Sequence, residues 1–297
     1  MNNVELDGLL NDEVIIVIGA GTMGHGIAGQ AARCGATVRI FDANAESLTR
    51  GEAQINSIYQ KAIVKNKMSE LEVSESLSRI TYIAPTHPEA LTRSCVDATI
   101  VIEAAPERLE LKQSIFKEVE AVVSKHTLLA SNTSSLSIDK IAMVLDHPER
   151  FIGMHFFNPV AVMPLLEIVR GSLTSEAVID RTRAIGEALL KTPIVVKDAP
   201  GFATSRLGIA LGNEAMRIFE EGVASAEDID RAMVLGYRHP IGPLALTDLV
   251  GLDVRLAISE YLYSELGTDT FKPPQVLKDK VASGQLGKKS GSGFYEY

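Results

Sequence analysis

Two stretches of this chain carry residue types whose spacing could do chemistry. Gly19-Ala20-Gly21-Thr22-Met23-Gly24 is a G-x-G-x-x-G run directly after the apolar segment Val14 to Ile18 and directly before a segment with helical spacing. In that setting Gly19 permits a tight turn, Gly21 lets backbone approach a pyrophosphate, and Gly24 lets helix and strand pack closely. The helix that begins there would face phosphates with its N–H groups and positive dipole end. A structural glycine turn is the plainer reading of such a run. Asp42, eighteen residues beyond Gly24 and at the end of the next strand-like run Thr37 to Phe41, argues against it. A carboxylate there accepts hydrogen bonds from adenosine ribose hydroxyls and repels a 2′-phosphate, so NAD is expected in preference to NADP. The second stretch is Phe151-Ile152-Gly153-Met154-His155-Phe156-Phe157-Asn158-Pro159. His155 stands where an apolar strand gives way to a loop at Asn-Pro, the kind of sheet edge that presents groups to a ligand. On spacing alone a satisfied structural histidine is an equal reading. Glu167 interrupts the apolar run Leu165 to Val169, where a carboxylate must be paired or exposed. The other histidines, His25, His87, His126, His147 and His239, lie beside glycines, prolines or charged residues and read as surface or capping groups.

The elements that must position these residues follow from apolar periodicity. Strand-like runs occur at 14–18, 37–41, 79–84, 98–102, 127–130, 151–156, 165–169 and 193–196. Leu109, Phe116, Val119 and Val123 recur at helical spacing between the fourth and fifth runs. From Glu46 to about Ser78 the pattern is helical and charged, longer than a crossover needs, and reads as a helical hairpin projecting from the sheet. Strands alternating with helices imply an α/β, Rossmann-type, doubly wound and mainly parallel sheet with right-handed crossovers. After Asp198-Ala199-Pro200-Gly201 helical patterning dominates, with breaks near Gly222, from Gly236 to Pro243 and from Lys272 to Pro274. The expected organisation is a nucleotide-binding domain over 1–197 and an all-α C-terminal domain over 198–297. The active site is expected in the cleft between them, because ligand sites favour domain interfaces.

Composition narrows the classes. The 297 residues exceed the usual size of one hydrophobic core, and 46% hydrophobic with 23% charged residues is ordinary for a globular protein. A net charge of −9 argues against general affinity for nucleic acid. Cys34 and Cys95 are the only cysteines and neither has metal-type or Cys-x-x-Cys spacing, so no metal site is expected and a reducing, cytoplasmic compartment fits best. Met1 to Glu13 lack the basic and apolar regions of a signal peptide, and no run approaches the ~20 apolar residues of a membrane span. Asn132-Thr133-Ser134 matches a glycosylation acceptor only by accident in that setting.

Taken in order, GAGTMG from Gly19, EAAPE from Glu103, SNTSSL from Ser131, HFFNPV from His155, MPLLEIV from Met163, DAPGF from Asp198, HPIGPLALTDLVGLD from His239 and GKKSGSGFY from Gly287 resemble the L-3-hydroxyacyl-CoA dehydrogenase family, including its bacterial 3-hydroxybutyryl-CoA members, over nearly the whole chain. The resemblance implies that His155 removes the 3-hydroxyl proton while hydride leaves the same carbon for NAD. It implies that Glu167 bonds the other imidazole nitrogen, fixing the tautomer. Ser134 would bond the substrate's 3-oxygen, with capping of the following helix as the alternative. Asn158 would sit near the nicotinamide and the histidine. Glu107, Lys112 and Lys289 would contact NAD, and Lys65 in the hairpin would meet a coenzyme A phosphate. Ser205 stands where the family usually has an asparagine that orients the substrate, so either a water intervenes or the acyl pocket is arranged differently.

Family members form dimers through the helical domain, and Leu207, Leu211, Met216 and Phe219 could serve either that interface or the domain's own core. Two other readings share the fingerprint: a dehydrogenase of a free hydroxy acid such as gulonate or carnitine, and a non-catalytic relative of the lens-crystallin kind. Retention of Ser134, His155, Asn158 and Glu167 together speaks against the second.

Overall fold

The computed structural model describes residues 10–297; most of the opening segment read above as lacking a signal peptide lies outside the described residues. The chain divides into two compact units with the boundary between Asp198 and Ala199.

The first unit is built on one eight-stranded sheet: β1 Val14–Ile18, β2 Thr37–Phe41, β3 Ile80–Ile83, β4 Ile100–Glu103, β5 Leu128–Ser131, β6 Phe151–Phe156, β7 Leu165–Arg170 and β8 Thr192–Lys197. Their order across the sheet is β3-β2-β1-β4-β5-β6-β7-β8. Every neighbouring pair is parallel except β6 and β7. Strand β1 therefore has β2 on one side and β4 on the other, which makes its C-terminal end the point where the winding reverses and a crevice opens. The apolar runs explain the central strands: β4, β5 and β6 are buried along their whole length, as strands covered on both faces must be.

Helix α1 (Thr22–Arg33) buries a face rich in small residues, including Gly24, Gly26, Ala28, Gly29, Ala31 and Ala32. That face brings its axis close to its neighbours. Helices α2 (Ala45–Val64) and α3 (Glu70–Ser78) form the expected hairpin between β2 and β3. The hairpin does not project freely: Leu48, Ile55, Tyr59, Met68 and Val73 join the core that contains α1, and Tyr59 donates a 2.6 Å bond to the Gly29 carbonyl. The lysines Lys61, Lys65 and Lys67 are exposed, so periodicity showed the helices while the packing partner was invisible. Helices α4 (Ala90–Cys95), α5 (Leu109–Glu120), α6 (Ile138–Ala142) and α7 (Glu176–Ala188) complete the unit. Strand-like runs and strands agree to within two residues at each end.

The second unit contains α8 (Thr204–Glu220), α9 (Ala226–Arg231), α10 (Pro243–Val250), α11 (Leu252–Leu266) and α12 (Gln275–Ala282), with a π-helical turn at Ala232–Gly236. Two buried carboxylates organise it. Asp230 accepts from the Leu244 and Ala245 amides at 2.8 Å each, capping α10 from a distance. Asp248 accepts from the Phe294 and Tyr295 amides at 2.9 Å each and so anchors the C-terminal tail. A Cβ at Gly293 would lie 2.2 Å from the Asp248 carboxylate, which is why glycine stands there. Much of the distinctive sequence in this unit thus holds its own fold together. Of the four residues left between core and interface, Met216 is in the core, Phe219 packs partly against it, Leu211 is half-buried and Leu207 is 71% exposed. Among the described residues no helix is long and apolar enough to cross a membrane.

Candidate active site

The C-terminal ends of β1, β2, β4, β5 and β6 lie along one edge of the sheet, with Ile18 paired to Phe41 and Glu103, Glu103 to Ser131, and Ser131 to Gly153. Past that row opens a cavity of about 830 Å³. Gly19, Gly21, Thr22, Met23, Asp42, Glu107, Lys112, Ser134, His155 and Asn158 line it, and all belong to the first unit.

The glycine turn is set by backbone sterics. Gly19 has φ +105°, and a Cβ there would be 2.6 Å from the Ala104 carbonyl oxygen. A Cβ at Gly24 would collide with the Gly19 carbonyl at 1.7 Å. At Gly21 nothing stands within 4 Å of the missing Cβ, so the loop faces open space where a pyrophosphate needs backbone access. Gly21 is also the N-cap of α1 and offers no side chain to its N–H groups, and no acidic residue occupies the first turn. Asp42 does more than the sequence suggested: its Oδ2 accepts from the Ala20 amide and its Oδ1 from the Asn44 amide, both at 2.8 Å. The carboxylate therefore fixes the glycine loop while retaining lone pairs for a ribose. These features fit NAD.

A second network fixes the loops after β4 and β5. Glu103 is fully buried; Lys112 donates to its Oε1 at 2.6 Å, as does the Ala105 amide, and Ser131 donates to its Oε2 at 2.6 Å. Lys112, 1% exposed, also meets Glu107 at 3.2 Å and the Ala105 carbonyl at 3.3 Å, so its three N–H donors are directed at protein groups. Glu107 Oε1 in turn accepts from the Thr133 hydroxyl at 2.5 Å and the Ser134 and Ser135 amides at 3.1 and 3.2 Å. Burial pushes the Glu103 carboxyl up, and Lys112 and Ser131 only partly offset it. Burial also acts on Glu107, but there the charge of Lys112 and the Thr133 hydroxyl outweigh it and hold the carboxyl below its ordinary value. The opposite outcomes follow from depth: Glu107 keeps a solvated side.

His155 and Glu167 face each other directly across the antiparallel pair β6–β7. Their Nδ1 and Oε2 atoms are 2.9 Å apart, with Glu167 fully buried and His155 nearly so. With the carboxylate ionised it can only accept, and Nδ1 would then carry the proton and leave the ring's basic lone pair at Nε2. The Phe157 ring lies 4.5 Å from the imidazole, centroid to centroid. The side chain of Asn132 accepts from the Phe156 amide at 2.9 Å and ties the end of β6 to the loop after β5.

Ser134 does not cap α6; Ser137 does, accepting from the Lys140 amide. Sequence reasoning gave no role to Glu103, Ser131 or Asn132. Glu103 carried a signal like that of Glu167, a carboxylate within a wholly apolar run, and could have been found by it. Three expected residues lie away from this cavity. Lys65 caps the C-terminus of α2 and lines a separate cavity of about 270 Å³ with Arg33, Lys61 and Lys67. Ser205, in the first turn of α8, and Lys289, bonded to Asp253 at 2.7 Å, belong to the second unit.

Residues 14–199 match the model of the 3-hydroxyacyl-CoA dehydrogenase NAD-binding domain and residues 201–297 that of the family's C-terminal domain. The chain is 45% identical to a probable 3-hydroxybutyryl-CoA dehydrogenase of Bacillus subtilis (strain 168), covering 95% of this chain and 96% of that one. It is 40% identical to the 3-hydroxybutyryl-CoA dehydrogenase of Clostridioides difficile, covering 95% and 99%. Among solved structures, that of (S)-3-hydroxybutyryl-CoA dehydrogenase from Ralstonia eutropha superposes with a TM-score of 0.89 at 42% identity, covering 96% of this chain and 99% of that one. With a dinucleotide crevice at the reversal point of its sheet and both family domains matched end to end, the chain belongs to the 3-hydroxyacyl-CoA dehydrogenase family of NAD-dependent oxidoreductases.

Proposed function

We propose that this protein interconverts the 3-hydroxyl and 3-keto forms of an acyl-coenzyme A thioester, with His155 exchanging the hydroxyl proton and Glu167 orienting its ring. The observation that carries the reading is the 2.9 Å Nδ1–Oε2 pair of His155 and Glu167, with the imidazole lining the same cavity as the glycine loop and Asp42.

In the oxidation direction Nε2 of His155 takes the proton of the 3-hydroxyl as the C3–O bond gains double-bond character, and Glu167 stabilises the imidazolium that results. NAD, when bound, supplies the acceptor for the hydride that leaves C3. In reduction the imidazolium returns its proton to the 3-oxygen. Ser134 bonds that oxygen and Asn158 holds the nicotinamide side of the site. Gly19, Gly21, Thr22, Met23, Gly24 and Asp42 hold the adenosine and pyrophosphate, Glu107 and Lys112 shape the adjoining wall, and Lys289 contacts NAD. Ser205 faces the acyl group, and Lys65 meets a coenzyme A phosphate amid the basic residues of its cavity. Exposed apolar side chains on the second unit, Leu207, Leu235, Tyr237 and Leu249, support a homodimer through that unit. Both cysteines are buried free thiols pushed up to about 11 by burial, in keeping with the cytoplasm.

Steady-state reduction with NADH and NADPH tests the assignment. Acetoacetyl-CoA should be reduced with NADH, while acetoacetate is not and NADPH supports little turnover. Reduction of free acetoacetate but not of its thioester would overturn it.

A further inference from the structure

Lys191 is 8% exposed, and its ammonium meets no carboxylate among the described residues. Lys112, buried in the same unit, shows the usual arrangement: Glu103 and Glu107 neutralise it. Lys191 Nζ instead donates to two backbone carbonyls, that of Val160 and, at 3.1 Å, that of Met163. Burial holds the ammonium below the ordinary lysine pKa. An apolar side chain would fill such a place without taking a charge out of water. What the lysine adds there is the pair of charge-assisted bonds.

One end of this clamp is fixed by the turn between α7 and β8. Leu190 has φ +59°, and the Leu190 and Lys191 amides donate to the Glu187 and Gly186 carbonyls at 2.8 and 2.9 Å. Gln30 of α1 donates to the Leu189 carbonyl at 3.0 Å and ties the turn to the core. The other end is the connection between β6 and β7, residues 157–164, in which every residue except Phe157 and Val160 is exposed. Connections so exposed are mobile unless something holds their backbone. Here the Val160 side chain seats against α1 at Gly26, where a Cβ would come within 2.9 Å of it, and Lys191 holds the backbone from Val160 to Met163. The same connection opens on the candidate active site: the Phe157 ring packs against the His155 imidazole, and Phe157 and Asn158 line the cavity with it. Asn158 stands two residues before the first carbonyl that Lys191 grips.

We infer that Lys191 is a positioning residue for the reaction: by gripping the Val160 and Met163 carbonyls from behind the β6–β7 connection, it holds Asn158 at the cavity wall beside His155. It touches neither substrate nor cofactor and acts through Asn158. A side chain that must meet a reacting group within a few tenths of an ångström gains rate from such a tether, because misplacement by about 1 Å can cost on the order of 10²-fold. The inference rests on the proposed dehydrogenase activity at His155.

A double-mutant cycle tests it, read as the single-turnover rate of acetoacetyl-CoA reduction with NADH in wild type, Lys191→Met, Asn158→Ala and the double variant. Lys191→Met alone should lower the rate by about 10- to 100-fold. In the Asn158→Ala background the same change should cost no more than about 2-fold, because the residue it positions is already gone. Lys191→Arg, which keeps the charge and its donors, should recover part of the rate. A near-normal rate in Lys191→Met overturns the inference and leaves the dehydrogenase reading intact. So does an equal loss in both backgrounds, which is what general loosening of the fold would give. Circular dichroism on each preparation reports folding, and Lys191→Gln, which retains an N–H donor without the charge, takes the place of Lys191→Met in the cycle if that variant does not fold. If Lys191→Gln is unfolded as well, Lys191 serves stability and the inference is wrong. Failure of the wild type to reduce acetoacetyl-CoA overturns both readings.

Discussion

Glu103 at the end of β4 and Glu167 in β7 are both fully buried carboxylates on the same sheet, but their partners differ in kind. Glu103 meets Lys112, a cation of high ordinary pKa, and every remaining donor around it belongs to the protein. Glu167 meets an imidazole that lines the cavity. A buried carboxylate closed off by a permanent cation fixes loops; one that faces a titratable ring can answer a proton that arrives and leaves. The same residue type in the same sheet thus fixes loops in one region and, on the proposed mechanism, serves chemistry in the other.

Breaking the second pair should give the largest effect on turnover. His155→Gln should leave NADH binding nearly intact and lower kcat by about 10²- to 10⁴-fold, the range of lost acid–base catalysis. Fluorescence titration with NADH and steady-state kinetics on the same preparation measure both. Near-normal turnover would remove His155 from the mechanism. At the first pair the corresponding change should strike the fold. Glu103→Gln leaves the Lys112 ammonium buried without its main counter-charge and should cost about 3 kcal/mol or more in denaturant unfolding. Undiminished stability would show that Glu107 alone suffices for Lys112.

The smallest effect concerns Glu107, which shares Lys112 with Glu103. Its carboxyl is held below the ordinary value of 4.5, so the unfolded chain takes up this proton first as pH falls. The stability it contributes is therefore complete above about pH 4.5 and lost below it. Glu107→Gln should remove part of that acid loss, measured as a shallower fall of the unfolding midpoint between pH 4.5 and pH 3; an unchanged acid limb would sink the assignment. Glu103 runs the other way, since a raised carboxyl binds its proton more tightly in the folded state.

What could be read along the chain was whatever local sterics and burial impose on consecutive residues. Wholly apolar runs foretold the strands, the glycine spacing foretold the turn after β1, and the break in character near Asp198 lies beside the division into two units. The helical hairpin was legible as two helices. Its docking onto α1 was not, because small buried residues such as Gly29 accept a partner without naming it. The twelve-residue interval between His155 and Glu167 has no meaning on its own; it acquires one when β6 and β7 run antiparallel and set the two residues opposite each other.

The type of fold and the dinucleotide crevice were determined by sequence, since glycine geometry and strand periodicity are local constraints, while the catalytic candidates were named through the family resemblance. Tertiary structure decided how those candidates are used. Only the folded chain joins Lys112 to Glu103 across nine residues and turns the second oxygen of Asp42 onto the glycine loop. The reason is physical: a residue's chemical identity is fixed by its side chain, but its charge state, its free valences and its neighbours are set by groups that distant parts of the chain bring to it.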